Sequence, residues 1–232
     1  GQSTLFLLHS LRLSSLVLVP PTKPVALITA PTQMQANALT TLRGGSSYDA
    51  NGLPLTFTWD ITSWPQGSSA TLGGAVKATA LIGTAAANNS VQVTYRTPSS
   101  LGNGFYLVFV KDTVANGMLS ASIAGVNVTV VLPVDGTNAV TATASDLVQA
   151  FGDATKAGYN AAIDLLFSAN HEGTSDGSGL LVEGTTQFTG GAGSVDQDPV
   201  FIPDTVGNYD ISLTVSNGTL VSDVATAKVL AT

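Results

Sequence analysis

The sequence predicts a mainly β protein with a small mixed α+β segment in its middle. Three observations carry that reading. Thr and Val fill the runs between turn signals, and such β-branched residues suit a pleated, half-buried surface. Turn formers are abundant: 24 Gly and 10 Pro, and acids that are nearly all Asp, with only Glu172 and Glu183 as exceptions. Asp favours turns and caps, whereas Glu favours helix interiors. Apolar and polar residues also alternate in several separate runs, the period of a strand with one buried face.

Composition bounds the rest. A chain of 232 residues suffices for one large β domain or two small ones. Only 10% of residues are charged and 44% are hydrophobic, which excludes a disordered chain. A net charge of −7 excludes a wholly basic nucleic-acid module. With no cysteine, disulfides, thiolate metal sites and cysteine nucleophiles are excluded. The only histidines, His9 and His171, lie far apart in the chain. Charge is also uneven. Asp135 to Asp210 holds eleven acids and one base, Lys156, while the chain before it holds six bases and three acids. An acidic half and a mildly basic half would orient the molecule on a partner of mixed charge; ordinary solvation of a surface explains the same pattern.

Element by element, the chain begins with an apolar arm. Leu5 to Val19 reads LFLLHSLRLSSLVLV, with apolar residues at 5, 7, 11, 13, 17 and 19, a period of two broken at His9 and Ser15. It is shorter than the roughly 20 apolar residues of a spanning helix. It lacks the basic start and small-residue cleavage site of a secretory signal. We expect one or two strands or an extended arm, packed on its own domain or on a neighbouring subunit because it is too apolar for water. Leu5, Phe6, Leu8, Leu11 and Leu13 are its candidate contact residues. Pro20-Pro21-Thr22-Lys23-Pro24 follows as a stiff spacer.

Strands are then expected to begin at Val25–Leu27 and to cover Ala38–Leu42. Residues 44–52 form a turn cluster whose Asn51-Gly52 step supplies positive φ. Leu55 to Ile61 alternates, with Leu55, Phe57, Trp59 and Ile61 on one side. A large aromatic on such a strand plugs the space between two sheets, so Trp59 is read as core. Further strands are expected at Ser90–Tyr95, Phe105–Val110 and Ser120–Leu132. Thr143 to Asp146 has the form of a capping box, opening a helix with Leu147, Val148 and Phe151 on its apolar face and Gly152 at its end. A second short helix over 153–162, a strand over 163–169, a polar loop over 171–179 and a short strand from Leu180 complete the middle. Near the C-terminus, Tyr209, Ile211, Leu213 and Val215 alternate inward, and Asn217-Gly218 turns the chain into a last strand, Val224 to Leu230.

Two resemblances organise these elements. Ser47, Asp49, Asn51, Gly52, Leu55, Phe57 and Trp59, followed by Ser63-Trp64-Pro65-Gln66-Gly67-Ser68-Ser69-Ala70, resemble the first half of a PKD-type immunoglobulin-like domain. Phe201, Pro203, Asp204, Gly207, Tyr209, Leu213, Val215, Asn217 and Gly218 resemble its closing hairpin. The stretch between is similar to a small α+β module of tailed-bacteriophage virion proteins, on Asn88 to Val91, Val126 to Val130, Thr143 to Ala150, Ser175 to Gly179 and Gly190-Gly191. These likenesses imply a mainly β fold: an immunoglobulin-like, PKD-type sandwich interrupted by an inserted α+β domain. The implied division is an arm and spacer over 1–23, a discontinuous sandwich over 24–74 plus 194–232, and an insert over 75–193. The implied sandwich core is Phe57, Trp59, Phe201, Tyr209, Leu213 and Val215. Some relatives carry extra acids in the first turn that could hold Ca²⁺, but Asp49 is its only acid here, and a hard cation wants six to eight oxygen ligands.

Chemistry-bearing groupings are sparse. His171, Glu172 and Asp176 share a loop that reads more simply as a polar turn than as a metal site. Asp196, Asp198 and Asp204 crowd one segment, where turn and cap roles explain them better than paired-carboxylate hydrolysis. The glycines of 173–179 lack the lysine of a phosphate loop. Two tryptophans and no basic–aromatic alternation argue against nucleic acid.

The expectation is a non-enzymatic structural protein without catalytic, metal or cofactor residues. The favoured reading is a decoration (cement) protein on the capsid exterior of a tailed phage. Its partners would be the major capsid protein or neighbouring copies, in repeated or homo-oligomeric arrays, with no nucleic acid and no membrane. The alternatives are a phage tail or fibre component, or a bacterial surface or secreted carbohydrate-binding or adhesion module. The carbohydrate reading needs an exposed aromatic platform, for which Trp64 is the candidate.

Overall fold

A computed structural model describes residues 20–232, so the arm and its contact residues Leu5, Phe6, Leu8, Leu11 and Leu13 lie outside the described residues. The chain is mainly β, arranged in several sheets. In chain order its elements are β1 (Gln33–Met34), β2 (Thr40–Thr41), β3 (Thr56–Ser63), β4 (Thr71–Leu72), β5 (Thr79–Ile82), β6 (Val91–Tyr95), β7 (Tyr106–Ala115), β8 (Ser120–Ala124), β9 (Asn127–Val134), α1 (Ala144–Ala150), α2 (Ala161–Leu166), β10 (Phe167–His171), β11 (Gly184–Gln187), β12 (Val200–Ile202), β13 (Gly207–Ser216) and β14 (Ala225–Ala231).

One apolar cluster joins the two ends of the described chain. Strand β13 lies between β14 and β3, antiparallel to both, with Leu213 opposite Trp59 and Val215 opposite Phe57. The parallel pairing of β1 with β14 completes this four-stranded sheet. A second sheet sets β12 between β2 and β4, placing Phe201 opposite Thr40 and Leu72. The period-two pattern of β13 sends Tyr209, Ile211, Leu213 and Val215 into an interior shared with Trp59, Ile61, Leu42, Leu72, Phe201 and Val229. Each large side chain so buried contributes about 1.5–3 kcal/mol. The two sheets around one interior are consistent with a β-sandwich. Trp59 is fully buried and its indole N–H donates to the Asp196 carbonyl at 2.9 Å. Phe57 is only half-buried, because it lies near the mouth where β3 begins.

The second cluster gathers residues between Ala78 and Phe188. Here β6 lies between β5 and β10, all antiparallel, while β7 pairs parallel with β9 and antiparallel with β11, and β8 closes that sheet's other edge. Leu147, Ala150 and Phe151 bury the inner face of α1, and Ile163 anchors α2. Tyr95, Phe105, Phe167 and Phe188 form a continuous aromatic chain with ring centroids 5.0–5.6 Å apart. Such pairs add about 0.5–1.5 kcal/mol beyond area burial.

Several boundaries differ from the sequence reading. Val25 and Thr29 make only single bridges, to Tyr48 and Arg43, so no continuous strand runs from Val25 to Leu27. Only Thr40–Thr41 of the 38–42 run pairs as a strand; Asn37 just before it has φ 63°. The 120–132 run is a hairpin rather than one strand, because Gly125 adopts φ 57° and folds β8 back on β9. Phe105–Val110 lengthens into β7, since its parallel partner β9 continues the ladder. The second helix is α2, not 153–162. Asn160 caps it by accepting from the Ala162 N–H at 2.9 Å, so residues 163–166 are helical and the strand starts at Phe167. Leu180 makes one bridge, to Thr143, and the strand beyond it waits until Gly184. The Thr143–Asp146 capping box does form, both of its reciprocal bonds being present.

Candidate functional site

The two clusters meet along a junction built from both crossings of the chain. The outgoing and returning segments pair as a narrow ribbon. Val76 and Ala192 exchange backbone hydrogen bonds at 2.8 and 3.0 Å, Thr79 and Thr189 at 2.9 Å each, and Trp59 and Ser194 at 2.8 and 2.9 Å. Gly193 permits the last of these, since a Cβ there would sit 2.2 Å from the Trp59 carbonyl. Polar face residues of β3 then reach the second cluster. The Asp60 carboxylate accepts from the Ser99 hydroxyl at 2.8 Å, the Ser100 amide at 3.1 Å and the Ser100 hydroxyl at 3.3 Å. Burial, and next the Asp60 charge, push the Tyr95 phenol up to about 12. Burial and the neighbouring Arg96 hold the Lys77 ammonium below its ordinary value, with Asp204 working the other way. Arg96 itself is paired with Asp164, donating from Nε to the carbonyl at 2.6 Å and from the guanidinium to the carboxylate.

Trp64 sits in this junction and packs against both clusters. Its ring stands edge-on to Tyr95 at 5.6 Å, and its Nε1 is buried without a partner. A shallow hollow of about 210 Å³ lies beside it, lined by Thr62, Ser63, Leu165 and Leu166. Trp64 is therefore not the exposed planar platform that sugar stacking requires. The signal lay in its position: it continues β3 by one residue, straight into the neighbouring core.

The other singled-out residues are placed as follows. Trp59, Phe201, Tyr209, Leu213 and Val215 are fully buried in one cluster, with Phe57 at its margin. The Tyr209 hydroxyl donates to the Thr205 carbonyl at 2.9 Å and lies 3.0 Å from Ser68 Oγ and 3.2 Å from Asp204 Oδ1. Asp204 also accepts from the Ser68 hydroxyl at 2.6 Å and from the Ser69 amide. Asp198 accepts from the Gly44 amide at 2.9 Å, and Asp196 contributes its carbonyl to Trp59. The three re-entry acids thus act as clips between distant segments and share no cleft. Asp49 accepts from the Asn51 amide at 2.8 Å and from the Asn217 side chain at 2.7 Å, which ties the first turn to the last hairpin. That Asn217 bond, against the effect of burial, holds the Asp49 carboxyl below the ordinary carboxylate range. His171 Nε2 lies 3.4 Å from Ser145 Oγ, and the Asp176 carboxylate is engaged by Ser178 at 2.9 Å. Among the described residues, no His, Asp or Glu side chains gather in threes to hold a metal ion. Among the described residues, too, no helix is long and apolar enough to cross a membrane.

Sequence reasoning missed the surface beside β5 and β11. Leu81, Leu180 and Val182 are more than half exposed there, around a cavity of about 180 Å³ and an adjoining groove of about 480 Å³ that share Leu181, Val182 and Glu183. Nothing in the local pattern marked it, because it exists only where two non-adjacent strands face each other.

These features define a two-core β protein in which several polar side chains clip distant segments together and an apolar patch lies beside β5 and β11. No protein family matches the chain, and neither curated proteins nor solved structures yield a match.

Proposed function

We propose that the chain is a structural virion protein of a tailed bacteriophage, a decoration protein that binds the outer shell of the capsid. On this reading the first cluster is a PKD-type immunoglobulin-like sandwich over 24–74 plus 194–232, and residues 75–193 are an inserted α+β module. The observation that carries it is the pairing of β3 with β13 across the long excursion between them, with the excursion holding an apolar cluster of its own. The sequence likeness to virion modules supplies the biological class. The Pro spacer supports the arm as anchor. Asn217 donates to the Thr22 carbonyl at 3.0 Å and Asn51 to the Thr22 hydroxyl at 3.1 Å, so the spacer is held and the arm leaves from a fixed point.

Deletion of residues 1–19 is expected to abolish binding to assembled capsids in a co-sedimentation assay. The circular dichroism spectrum and melting temperature should change little, because the core residues of both clusters come from residues 26–231. Retained capsid binding by the truncated chain would refute the anchor role. A tail or fibre location would appear as co-purification with tails instead of filled or empty heads.

A further inference from the structure

Four Asn-Gly steps occur in the chain: Asn51-Gly52, Asn103-Gly104, Asn116-Gly117 and Asn217-Gly218. Such a step carries its own reaction partners. The glycine amide nitrogen and the asparagine Cγ can close a small ring, and an intramolecular attack of that kind proceeds where the two groups are free to meet. The fold restrains three of the four. The Asn51 side chain donates to the Thr22 hydroxyl at 3.1 Å, and the Gly52 amide donates to the Asp49 carbonyl at 3.0 Å. The Asn103 side chain donates to the Gly191 carbonyl at 2.7 Å and accepts from the Gly191 amide at 2.8 Å. Asn217 is buried. Its Nδ2 donates to Asp49 at 2.7 Å, its Oδ1 accepts from the Thr219 and Leu220 amides, and the Gly218 amide donates to Ser216 Oγ at 3.1 Å. Asn116-Gly117 differs. It forms the turn that leaves β7, and Asn116 is exposed there. Its backbone is fixed, with the N–H donating to the Val134 carbonyl at 2.7 Å and φ at 61°, a left-handed conformation that asparagine tolerates. Among the described residues, neither the Asn116 side chain nor the Gly117 amide makes a hydrogen bond. A Cβ at Gly117 would overlap the Asp112 carboxylate, so packing favours glycine at the attacking position.

We infer that Asn116 is a site of spontaneous deamidation in the folded chain, the first of the four to react. The Gly117 nitrogen bonds to Asn116 Cγ and gives up its proton. The Cγ–Nδ2 bond breaks, and ammonia leaves carrying that proton. The succinimide left behind takes up one water, which opens it at either carbonyl. Opening at Cγ gives aspartate, and opening at the main-chain carbonyl gives isoaspartate. Nothing is oxidised or reduced, and water is the only co-reactant. Either product replaces a neutral amide with a carboxylate, taking the net charge one unit beyond −7. That charge joins a turn against which the Asp112 carboxylate already packs. Isoaspartate also lengthens the main chain by one carbon, beside the Asn116–Val134 bond where the β7–β9 ladder ends. The turn after β7 thus changes with age while the three clipped steps stay intact. None of this depends on the capsid reading.

The test ages the full chain in warm, mildly alkaline buffer, folded and in urea, and follows its peptides by mass spectrometry. Exchange of NH₂ for OH marks deamidation, and paired aspartate and isoaspartate peptides mark the succinimide route. In the folded chain the peptide holding Asn116 should convert about tenfold faster than those holding Asn51, Asn103 and Asn217, because holding reacting groups out of line costs that much or more. In urea the four rates should converge, since every step then has the same freedom. Asn116→Asp, which removes the reacting amide at an exposed turn, should abolish the early acidic species on isoelectric focusing and leave the three slow steps unchanged. Conversion of Asn116 no faster than the others in the folded chain, a lead that persists undiminished in urea, or a product that is aspartate alone would overturn the inference.

Discussion

The two apolar clusters reach stability by different means. The first, around Trp59 and Tyr209, joins the β13–β14 hairpin to segments distant in sequence: β3 against β13, Asp198 on Gly44, Asp204 on Ser68, Asp49 on Asn217. Its edges are short strands and clipped loops. The second adds nearer neighbours, the β8–β9 hairpin, the β5–β6 pair and a capped helix, to the distant β6–β10 and β7–β11 pairs, around an unbroken run of aromatic rings. It leaves strand edges open. Polar clips between remote segments fix the sandwich, and aromatic packing holds the larger unit together.

The sharpest way to break that contrast is to hollow each core in turn. Trp59→Ala and Phe167→Ala should each cost about 3–5 kcal/mol, the loss of a fully buried large aromatic. Trp59→Ala also leaves the Asp196 carbonyl without its donor. By hydrogen exchange, Trp59→Ala should expose 209–215 and 225–231 while 128–132 stays protected, and Phe167→Ala should do the reverse. Joint loss of protection in both would show a single cooperative unit instead.

A smaller effect tests the clips. Burial alone would raise the Asp204 carboxyl, but the Ser68 hydroxyl, the Ser69 amide and the Tyr209 hydroxyl outweigh it and hold it below the ordinary range. A carboxylate whose folded pKa is depressed adds stability that is complete above the unfolded value and is lost as pH falls through the folded one. Urea unfolding followed below about pH 4 should therefore show the first cluster weakening, with Asp49 acting in the same sense. Asp204→Asn should cost about 1–3 kcal/mol at neutral pH, because it sets an amide N–H₂ against donors. It should also flatten the acid limb of the stability profile.

The mildest change concerns the junction. Asp60→Ala removes three hydrogen bonds between the clusters and should cost about 1 kcal/mol. Its signature is a wider gap between the calorimetric transitions of the two clusters. It should also lower the Tyr95 phenol, followed by tyrosinate absorbance, because the negative charge that helps raise it is gone.

How much was legible in the chain follows from the same contrast. The burial of Trp59, Tyr209, Leu213 and Val215 was written in period-two alternation, and the α1 cap in Thr143 and Asp146, because each depends on residues within one turn or strand. The start of α2 was missed because Asn160 rather than Asp153 supplies the cap. The hairpin at Gly125 was missed although the apolar phase switches there, from Ala121 and Ile123 before the glycine to Val126, Val128 and Val130 after it. Trp64 was read as a surface ring, since its burial depends on Tyr95 and Leu166 from another part of the chain.

The sequence by itself determined a cysteine-free, mainly β chain with its strands and turns largely in place, because side-chain period and turn chemistry act over a few residues. Tertiary structure alone decided that Trp64 wedges between two cores, that Asp60 joins them, and that Leu81, Leu180 and Val182 share one exposed apolar surface. Those are facts about which strands become neighbours, and neighbourhood is fixed by burial across the whole chain.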